Sequence, residues 1–224
     1  MIDKNVFEQI NDKVDLILAS SSPRRYEILH DVMGFRDFKV MKPSFEENLD
    51  KALYKDDPIK YVRDTSRYKA QGIVQDLKVQ LQGSNKDKLV ICADTVVIDK
   101  DNIIYEKPGR EDVLLKNLQK FCYQSDGNPL RVATAVILVR WTNCNHYKLL
   151  ETFHEITEVY CDSQIPLSLL KHYVASGDGL AVAGGFKIQG ISGIIIKRIN
   201  GDYYNVVGLP LNHLFQAIYQ ECCS

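Results

Sequence analysis

The sequence predicts a mixed α/β fold in one compact unit. Short apolar runs typical of buried strands alternate with segments in which apolar residues recur every three or four positions, as on one face of a helix. Two strand candidates, 132–141 and 149–160, are long and separated by a few mostly polar residues, which indicates an antiparallel pair. The chain has 224 residues, enough for a sizeable core, and we expect a single domain over 1–224 with a flexible extension at 1–13.

Each expected element has a local reason. Ser22 suits a helix N-cap, and Pro23 suits the first helical position because its missing N–H would have had no partner there. Asp57 and Pro58 repeat that pattern, and Asn200-Gly201 is a favoured hairpin turn. The expected elements are, in order, a strand at 15–19, a helix ending at Gly34, a strand at 38–41, a long helix from Pro58, strands at 89–98 and 103–105, a helix at 110–121, strands at 132–141 and 149–160, a helix at 165–175, a hairpin of 194–199 with 203–207, and a helix at 210–222.

The composition excludes several classes of protein. A formal net charge of −1 argues against a general nucleic-acid binder, so we expect no nucleic-acid partner and any anion site must be local. No apolar run reaches the length of about 18 residues that a membrane span needs, and residues 1–15 lack the apolar core of a signal peptide, so we expect no membrane partner. The six cysteines, at positions 92, 122, 144, 161, 222 and 223, include no C-x-x-C pair, and reduced thiols of this kind favour a cytoplasmic location.

An anion-binding segment follows the first strand. Residues 20–25 read Ser-Ser-Ser-Pro-Arg-Arg at an expected helix start. A helix N-terminus exposes unpaired N–H groups with a partial positive charge, and the guanidinium groups of Arg24 and Arg25 suit phosphate oxygens. The structural alternative is a capped helix with solvated arginines, but two arginines in a first turn oppose the helix dipole. The segment therefore predicts a polyphosphate site.

Asp94 lies within the apolar strand at 89–98. Burying an unpaired carboxylate costs several kcal/mol, so its presence indicates a metal, a cationic partner or proton transfer. The alternative is a strand-end aspartate that is capped by Thr95 or paired with an arginine. Glu46 and Glu47 are candidates for a second metal-binding carboxylate, although each is equally compatible with a solvated position.

Two lysines and a glutamine complete the set of candidates. Lys107 precedes a proline that would rigidify the turn, and the point charge of the lysine suits a terminal phosphate. The same pattern is compatible with a solvated lysine in a turn. Lys69 lies on the long helix and is compatible with a surface position. In the glycine-rich segment 184–190, Gln189 can both donate to and accept from the edge of a base. That segment is neither a Walker A loop nor a Rossmann fingerprint.

Together these motifs resemble the Maf family of nucleoside triphosphate pyrophosphatases. The matching stretches keep the family's order and are 16–25, 68–70, 93–97, 107–108, 134–136, 184–190 and 201–210. The resemblance implies an elongated mixed sheet flanked by helices, with two lobes around a central nucleotide cleft. It implies hydrolysis of a nucleoside triphosphate between its α and β phosphates by a chain that uses Mg²⁺ or Mn²⁺ and forms a homodimer.

The resemblance also assigns roles. Ser20, Arg24 and Arg25 would hold phosphates, and Lys69 and Lys107 would neutralise the charge on the pyrophosphate leaving group. Glu47 and Asp94 would hold the metal, with Asp94 also orienting or deprotonating the attacking water. Gln189 would read the pyrimidine edge. Arg24, Arg25 and Gln189 agree with the branch of the family that acts on dTTP and UTP.

Two departures from the family pattern bear on base specificity. Residues 130–134 read Leu-Arg-Val-Ala-Thr, without the histidine that is common in the family, and residues 178–183 lack its usual Asp-Lys pair. Neither departure affects the phosphate or metal candidates. The alternative function is a non-catalytic nucleotide-binding regulator of growth or cell division, which would bind dTTP or UTP yet release no pyrophosphate.

Overall fold

The computed structural model describes residues 5–45, 48–80, 86–142 and 146–223. The strands in these ranges are β1 (Asp15–Ala19), β2 (Lys39–Val40), β3 (Lys88–Ile98), β4 (Ile104–Tyr105), β5 (Leu130–Trp141), β6 (Tyr147–Cys161) and β7 (Ile196–Asn200). The α-helices are α1 (Val6–Lys13), α2 (Pro23–Glu27), α3 (Pro58–Gln80), α4 (Glu111–Tyr123), α5 (Leu167–Ala175), α6 (Tyr203–Val207) and α7 (Leu211–Cys223). A π-helical segment, Ile28–Val32, continues α2, and 3₁₀ turns lie at Lys51–Tyr54, Ala183–Gly185 and Ile191–Ile195.

One mixed sheet connects the strands in the order β2-β1-β3-β5-β6-β7, and β4 pairs with β3 beside this path. Strand β1 is parallel to β2 and β3, whereas the other pairings are antiparallel. The pairing of β3 with β5 extends from Lys88 opposite Trp141 to Ile98 opposite Arg131. The pairing of β5 with β6 extends from Leu130 opposite Val159 to Trp141 opposite Tyr147, so the mixed α/β class and the expected long antiparallel pair are confirmed.

The expected strand at 203–207 is wrong. These residues form helix α6, because the side chain of Asp202 caps the first turn and accepts a hydrogen bond from the backbone N–H of Tyr204 at 2.7 Å. The helix ends at Gly208, whose φ of 127° is accessible mainly to glycine. Strand β7 pairs with β6 instead of forming a hairpin with the following segment.

The N-terminal segment also differs from the expectation of a flexible extension at 1–13. Asn5 and Glu8 form a capping box that starts α1, and Ile10 is fully buried in the core. Helix α1 packs against α7. Over Val6–Lys13 the extension is thus replaced by a helix that belongs to the core.

Two apolar clusters lie along the same face of the sheet. One contains Ala93 and Val136 and is covered by α1 and α7, and the other contains Val97 and Val132 and is covered by α4 and α5. Helix α3 covers the opposite face. No helix in the described part of the chain is long and apolar enough to cross a membrane.

Candidate functional site

A cleft of about 490 Å³ lies where the two apolar clusters meet. Its walls come from the segment after β1, the middle of β3, the turn before α4 and the segment that follows α5. Among the residues that line it are the sequence candidates Ser20, Arg24, Arg25, Lys69, Asp94, Lys107 and Gln189. The remaining metal candidates, Glu46 and Glu47, lie outside the described residues.

At this cleft Asp94 forms an ion pair with Lys69. The Nζ atom of Lys69 lies 2.6 Å from Oδ1 of Asp94, and the two residues are only 8% and 6% exposed. The helix α3 and the strand β3 each carry one member of the pair. Asp94 therefore has a cationic partner, and that partner is Lys69.

Arg25 is buried and its guanidinium contacts several protein groups. Its Nε donates to the carbonyl of Gly208 at 2.8 Å, and one Nη donates to the carbonyl of Ala93 at 2.9 Å and to Oγ of Ser20 at 3.2 Å. The other Nη donates to Oγ1 of Thr95 at 2.9 Å. Arg25 thereby connects β3 to the segment that follows α6, and it fixes one wall of the cleft.

Arg24 is a second arginine at the cleft. Burial lowers the pKa of Arg24, whereas the charges of Glu27 and Tyr173 act in the opposite direction. A guanidinium stays protonated under such a shift, so Arg24 is a partly desolvated cation.

The cleft is locally rich in cations although the whole chain has a net charge of −1. The basic side chains that line it in the described part of the chain are Arg24, Arg25, Lys42, Lys69, Lys107 and Lys187, against the carboxylates of Asp94 and Glu106. Lys107 is exposed at its turn. A concentration of one sign of charge in a cleft attracts ligands of the opposite sign, so the cleft is suited to a polyanion.

The glycine-rich segment has a packing role that the sequence interpretation missed. Gly184 has a φ of +67°, and a Cβ added there would lie 2.5 Å from Cγ2 of Val97. Because the segment packs this closely on β3, it brings Gln189 to the cleft wall. The pattern Gly-Gly before an aromatic residue is the signal that indicates such a close approach.

Glu106 is a cleft residue that the sequence analysis did not single out. One of its carboxylate oxygens accepts a hydrogen bond from the hydroxyl of Tyr61 at 2.6 Å, and the other forms an ion pair with Lys51. Its position directly before Lys107 is the available sequence signal.

The donor chemistry at the cleft is compatible with a hard cation. The described residues contain no group of three or more His, Cys, Asp or Glu side chains that could hold a metal. Mg²⁺ is commonly held by one or two carboxylates together with substrate phosphates and water. Asp94 can supply one such carboxylate.

The comparisons with known proteins agree with this geometry. A family model described as "Maf-like protein" matches residues 15–221. The chain is 54% identical over 220 residues to the dTTP/UTP pyrophosphatase of Saccharomyces cerevisiae, with 96% of this chain and 94% of the yeast protein covered. It is 36% identical over 209 residues to the dTTP/UTP pyrophosphatase of Clostridium perfringens strain SM101, with 91% and 95% covered. A human "probable bifunctional dTTP/UTP pyrophosphatase/methyltransferase protein" is 34% identical over 205 residues, which cover 91% of this chain and 31% of the human protein.

The match extends over the strands, the helices and the cleft residues alike. Because the family model covers all but the ends of the chain, and the yeast relative aligns over nearly its whole length, the likeness is not confined to one motif. The chain belongs to the Maf family.

Proposed function

We propose that this chain hydrolyses dTTP and UTP between the α and β phosphates, giving the nucleoside monophosphate and pyrophosphate. The observation that carries the proposal is the buried Lys69–Asp94 pair, which lies in a cation-lined cleft beside the segment that contains Ser20 and Arg24. The names of the yeast and clostridial relatives, both dTTP/UTP pyrophosphatases, support the choice of substrate.

The phosphate chain would lie along the basic wall of the cleft. Arg24 and Lys107 would bind its oxygens, and Ser20 would be held in place for the same purpose by its hydrogen bond from Arg25. Lys69 would stabilise the charge that develops on the departing pyrophosphate while its hydrogen bond orients the carboxylate of Asp94.

Asp94 would act on the attacking water. The water oxygen forms a bond to the α phosphorus, the bond from that phosphorus to the bridging oxygen breaks, and the proton of the water passes to the carboxylate. Asp94, with Glu47 outside the described residues, would also hold Mg²⁺ or Mn²⁺. A bound cation of this kind would neutralise phosphate charge and polarise the phosphoryl group.

Gln189 would read the base. Its amide can donate to a ring carbonyl and accept from a ring N–H, and uracil and thymine present both groups on adjacent atoms. The homodimer and the cytoplasmic location remain predictions from the sequence and the family.

The test is pyrophosphate release from a panel of canonical and modified nucleoside triphosphates with Mg²⁺ or Mn²⁺, with a chelator as the control. We expect cation-dependent release that is fastest with dTTP and UTP. Preferential release from other bases would contradict the assignment of the substrate and direct attention to the departures at 130–134 and 178–183. Binding of dTTP or UTP without release from any nucleotide would instead support a non-catalytic regulator.

A further inference from the structure

A chain of buried hydroxyl groups crosses the sheet between the two apolar clusters. Thr95 on β3 and Thr134 on β5 are direct cross-strand neighbours, and their Oγ1 atoms lie 2.9 Å apart. Thr134 is fully buried between Val132 and Val136, which face the same side of the sheet and belong to different clusters. Burying a hydroxyl among apolar side chains costs free energy unless the hydroxyl is hydrogen-bonded. The hydrogen-bond partners of Thr134 therefore indicate its role.

At the end away from Arg25, this series of hydrogen bonds reaches Asn205 on α6. The carbonyl of Asn205 accepts a hydrogen bond from Oγ1 of Thr134 at 3.3 Å. Its side-chain amide donates to the carbonyl of Val132 at 2.9 Å and to Oγ1 of Thr157 at 3.0 Å. Asn205 is fully buried, and these contacts fasten α6 to β5 and β6.

At the cleft, this series of hydrogen bonds ends at Arg25. Thr95 accepts a hydrogen bond from one Nη of Arg25 at 2.9 Å, and Nε of Arg25 donates to the carbonyl of Gly208, the residue directly after α6. Two of the hydrogen bonds of Arg25 are therefore made with a hydroxyl of β3 and with the end of α6, and others go to the backbone of β3 and to Ser20. Thr134 contacts the first of these two groups, and Asn205 holds α6 on the sheet.

We propose that Thr134 and Asn205, neither of which is among the residues lining the cleft, are positioning residues that fix the guanidinium of Arg25 and through it Ser20. The two residues act through hydrogen bonds and not through packing, because valine would fill the volume of Thr134 equally well. The activity part of its test rests on the proposed function, whereas the binding part does not.

The experiment compares three variants of the full-length chain. Thr134→Val removes the hydroxyl at constant shape, Thr134→Ser keeps it, and Thr65→Val is the matched control. Thr65 is a buried threonine on α3 whose Oγ1 has no hydrogen-bond partner among the described residues. The measurements are kcat/KM for UTP and the calorimetric Kd of α,β-methylene-UTP, a non-hydrolysable analogue, both with Mg²⁺ present.

We expect Thr134→Val to lower kcat/KM and to weaken analogue binding by about tenfold, the upper range for one hydrogen bond. Thr134→Ser and Thr65→Val are expected to stay within about twofold of the parent chain. In an Arg25→Lys background the effect of Thr134→Val is expected to disappear, because residues that act through one another are not additive. A purely structural role would lower the thermal midpoint without this coupling.

Equal behaviour of Thr134→Val and Thr65→Val would overturn the proposal, as would an effect of Thr134→Val that persists in full beside Arg25→Lys. If Arg25→Lys does not fold, Thr95→Val takes its place in the cycle with the same expectation. If the parent chain hydrolyses no nucleotide, the proposed function fails, and the analogue affinities of the same variants still decide whether Thr134 positions Arg25.

Discussion

Two aspartates, one within strand β3 and one directly after it, pair with lysines in different surroundings. Asp94, inside the strand, lies 2.6 Å from Nζ of Lys69, and Asp99, directly after the strand, lies 2.7 Å from Nζ of Lys120. The two aspartates are almost equally buried, at 6% and 5% exposure. Asp94 lines the cleft of about 490 Å³, whereas Asp99 lines a pocket of only about 20 Å³.

The carboxylate of Asp99 is saturated with hydrogen bonds. Its Oδ1 accepts from the backbone N–H groups of Asp101 and Ile103, both at 2.9 Å, and its Oδ2 accepts from Tyr105 at 2.8 Å and from Lys120. Burial alone would raise the pKa of Asp99, but these hydrogen bonds outweigh it and lower the pKa below its usual value. Four donors fill the four lone-pair directions of a carboxylate, so Asp99 closes the turn between β3 and β4.

A buried carboxylate is therefore not by itself evidence of a functional site. A saturated carboxylate in a small pocket stabilises the fold, whereas one that is oriented by a lysine at the wall of a cation-rich cleft can accept a proton or a metal ion. The surrounding groups make this distinction, so substitution of Asp94 and substitution of Asp99 are expected to affect different properties.

The largest expected effect is on turnover. Asp94→Asn should lower kcat/KM for UTP by about a thousandfold, because the amide cannot accept the proton of the attacking water. The circular dichroism spectrum should stay that of the parent chain. Asp99→Asn is the matched control, with kcat/KM expected within a few-fold of the parent below its unfolding temperature. A thousandfold loss in Asp99→Asn, or none in Asp94→Asn, would remove the functional difference between the two residues.

The next effect is on stability. Asp99→Asn should lower the free energy of unfolding by about 3 kcal/mol, since it leaves Lys120 without its anionic partner and replaces Oδ2 by an amide nitrogen, which cannot accept from Tyr105 or Lys120. Urea unfolding measures this difference. Tyr105→Phe removes one of the four donors and should cost about 1 kcal/mol. Equal losses in the two variants would argue that the saturation of Asp99 is not what stabilises the turn.

Much of the fold could be predicted because its signals are local. The N-cap at Ser22 is confirmed, as is the cap at Asp57, whose Oδ1 accepts a hydrogen bond from the backbone N–H of Lys60 at 3.0 Å, since caps depend on residues a few positions apart. The segment 203–207 was misassigned because its tyrosines and valines have high strand propensity. The cap by Asp202 and the packing of α6 on the sheet favour a helix instead. The packing is a tertiary contact, which local sequence does not show.

The residue types at the site could be predicted from the sequence, but the residues with which each of them pairs could not. The sequence predicts Arg25 as a phosphate ligand from its position after a proline. Its hydrogen bond to the carbonyl of Gly208 could not be predicted in that way, because it joins residues 183 positions apart. Lys69 was compatible with the surface because nothing in its neighbours along the chain indicates Asp94 as its partner. Asp99 is not among the sequence candidates, since the four donors that saturate it become visible only in three dimensions.

A smaller effect is expected from pH. The folded pKa of Asp99 is lowered, so its contribution to stability is complete above the usual value of 3.8 and is lost as the pH falls through the folded pKa. Burial alone would lower the pKa of Lys120, but its hydrogen bonds with Asp99 and Tyr105 raise it, so its contribution is complete below 10.5 and is lost at higher pH. The stability difference between the parent chain and Asp99→Asn should therefore be constant from about pH 5 to 9 and shrink below pH 3.8. Urea midpoints across this range test it, and a difference that stays constant down to pH 3 would contradict the lowered pKa.

The smallest effect is expected at a third lysine–aspartate pair in the same region. Lys100 forms an ion pair with Asp126, and the side chain of Asp126 is 74% exposed. Solvent and salt screen such a pair, so Lys100→Gln should leave the urea midpoint unchanged within error at physiological ionic strength. Lys120→Gln is the matched variant at the buried aspartate and should lower the midpoint. A loss at Lys100 as large as that at Lys120 would mean that charge pairing alone, and not burial with saturated hydrogen bonds, separates the stabilising aspartate from the others.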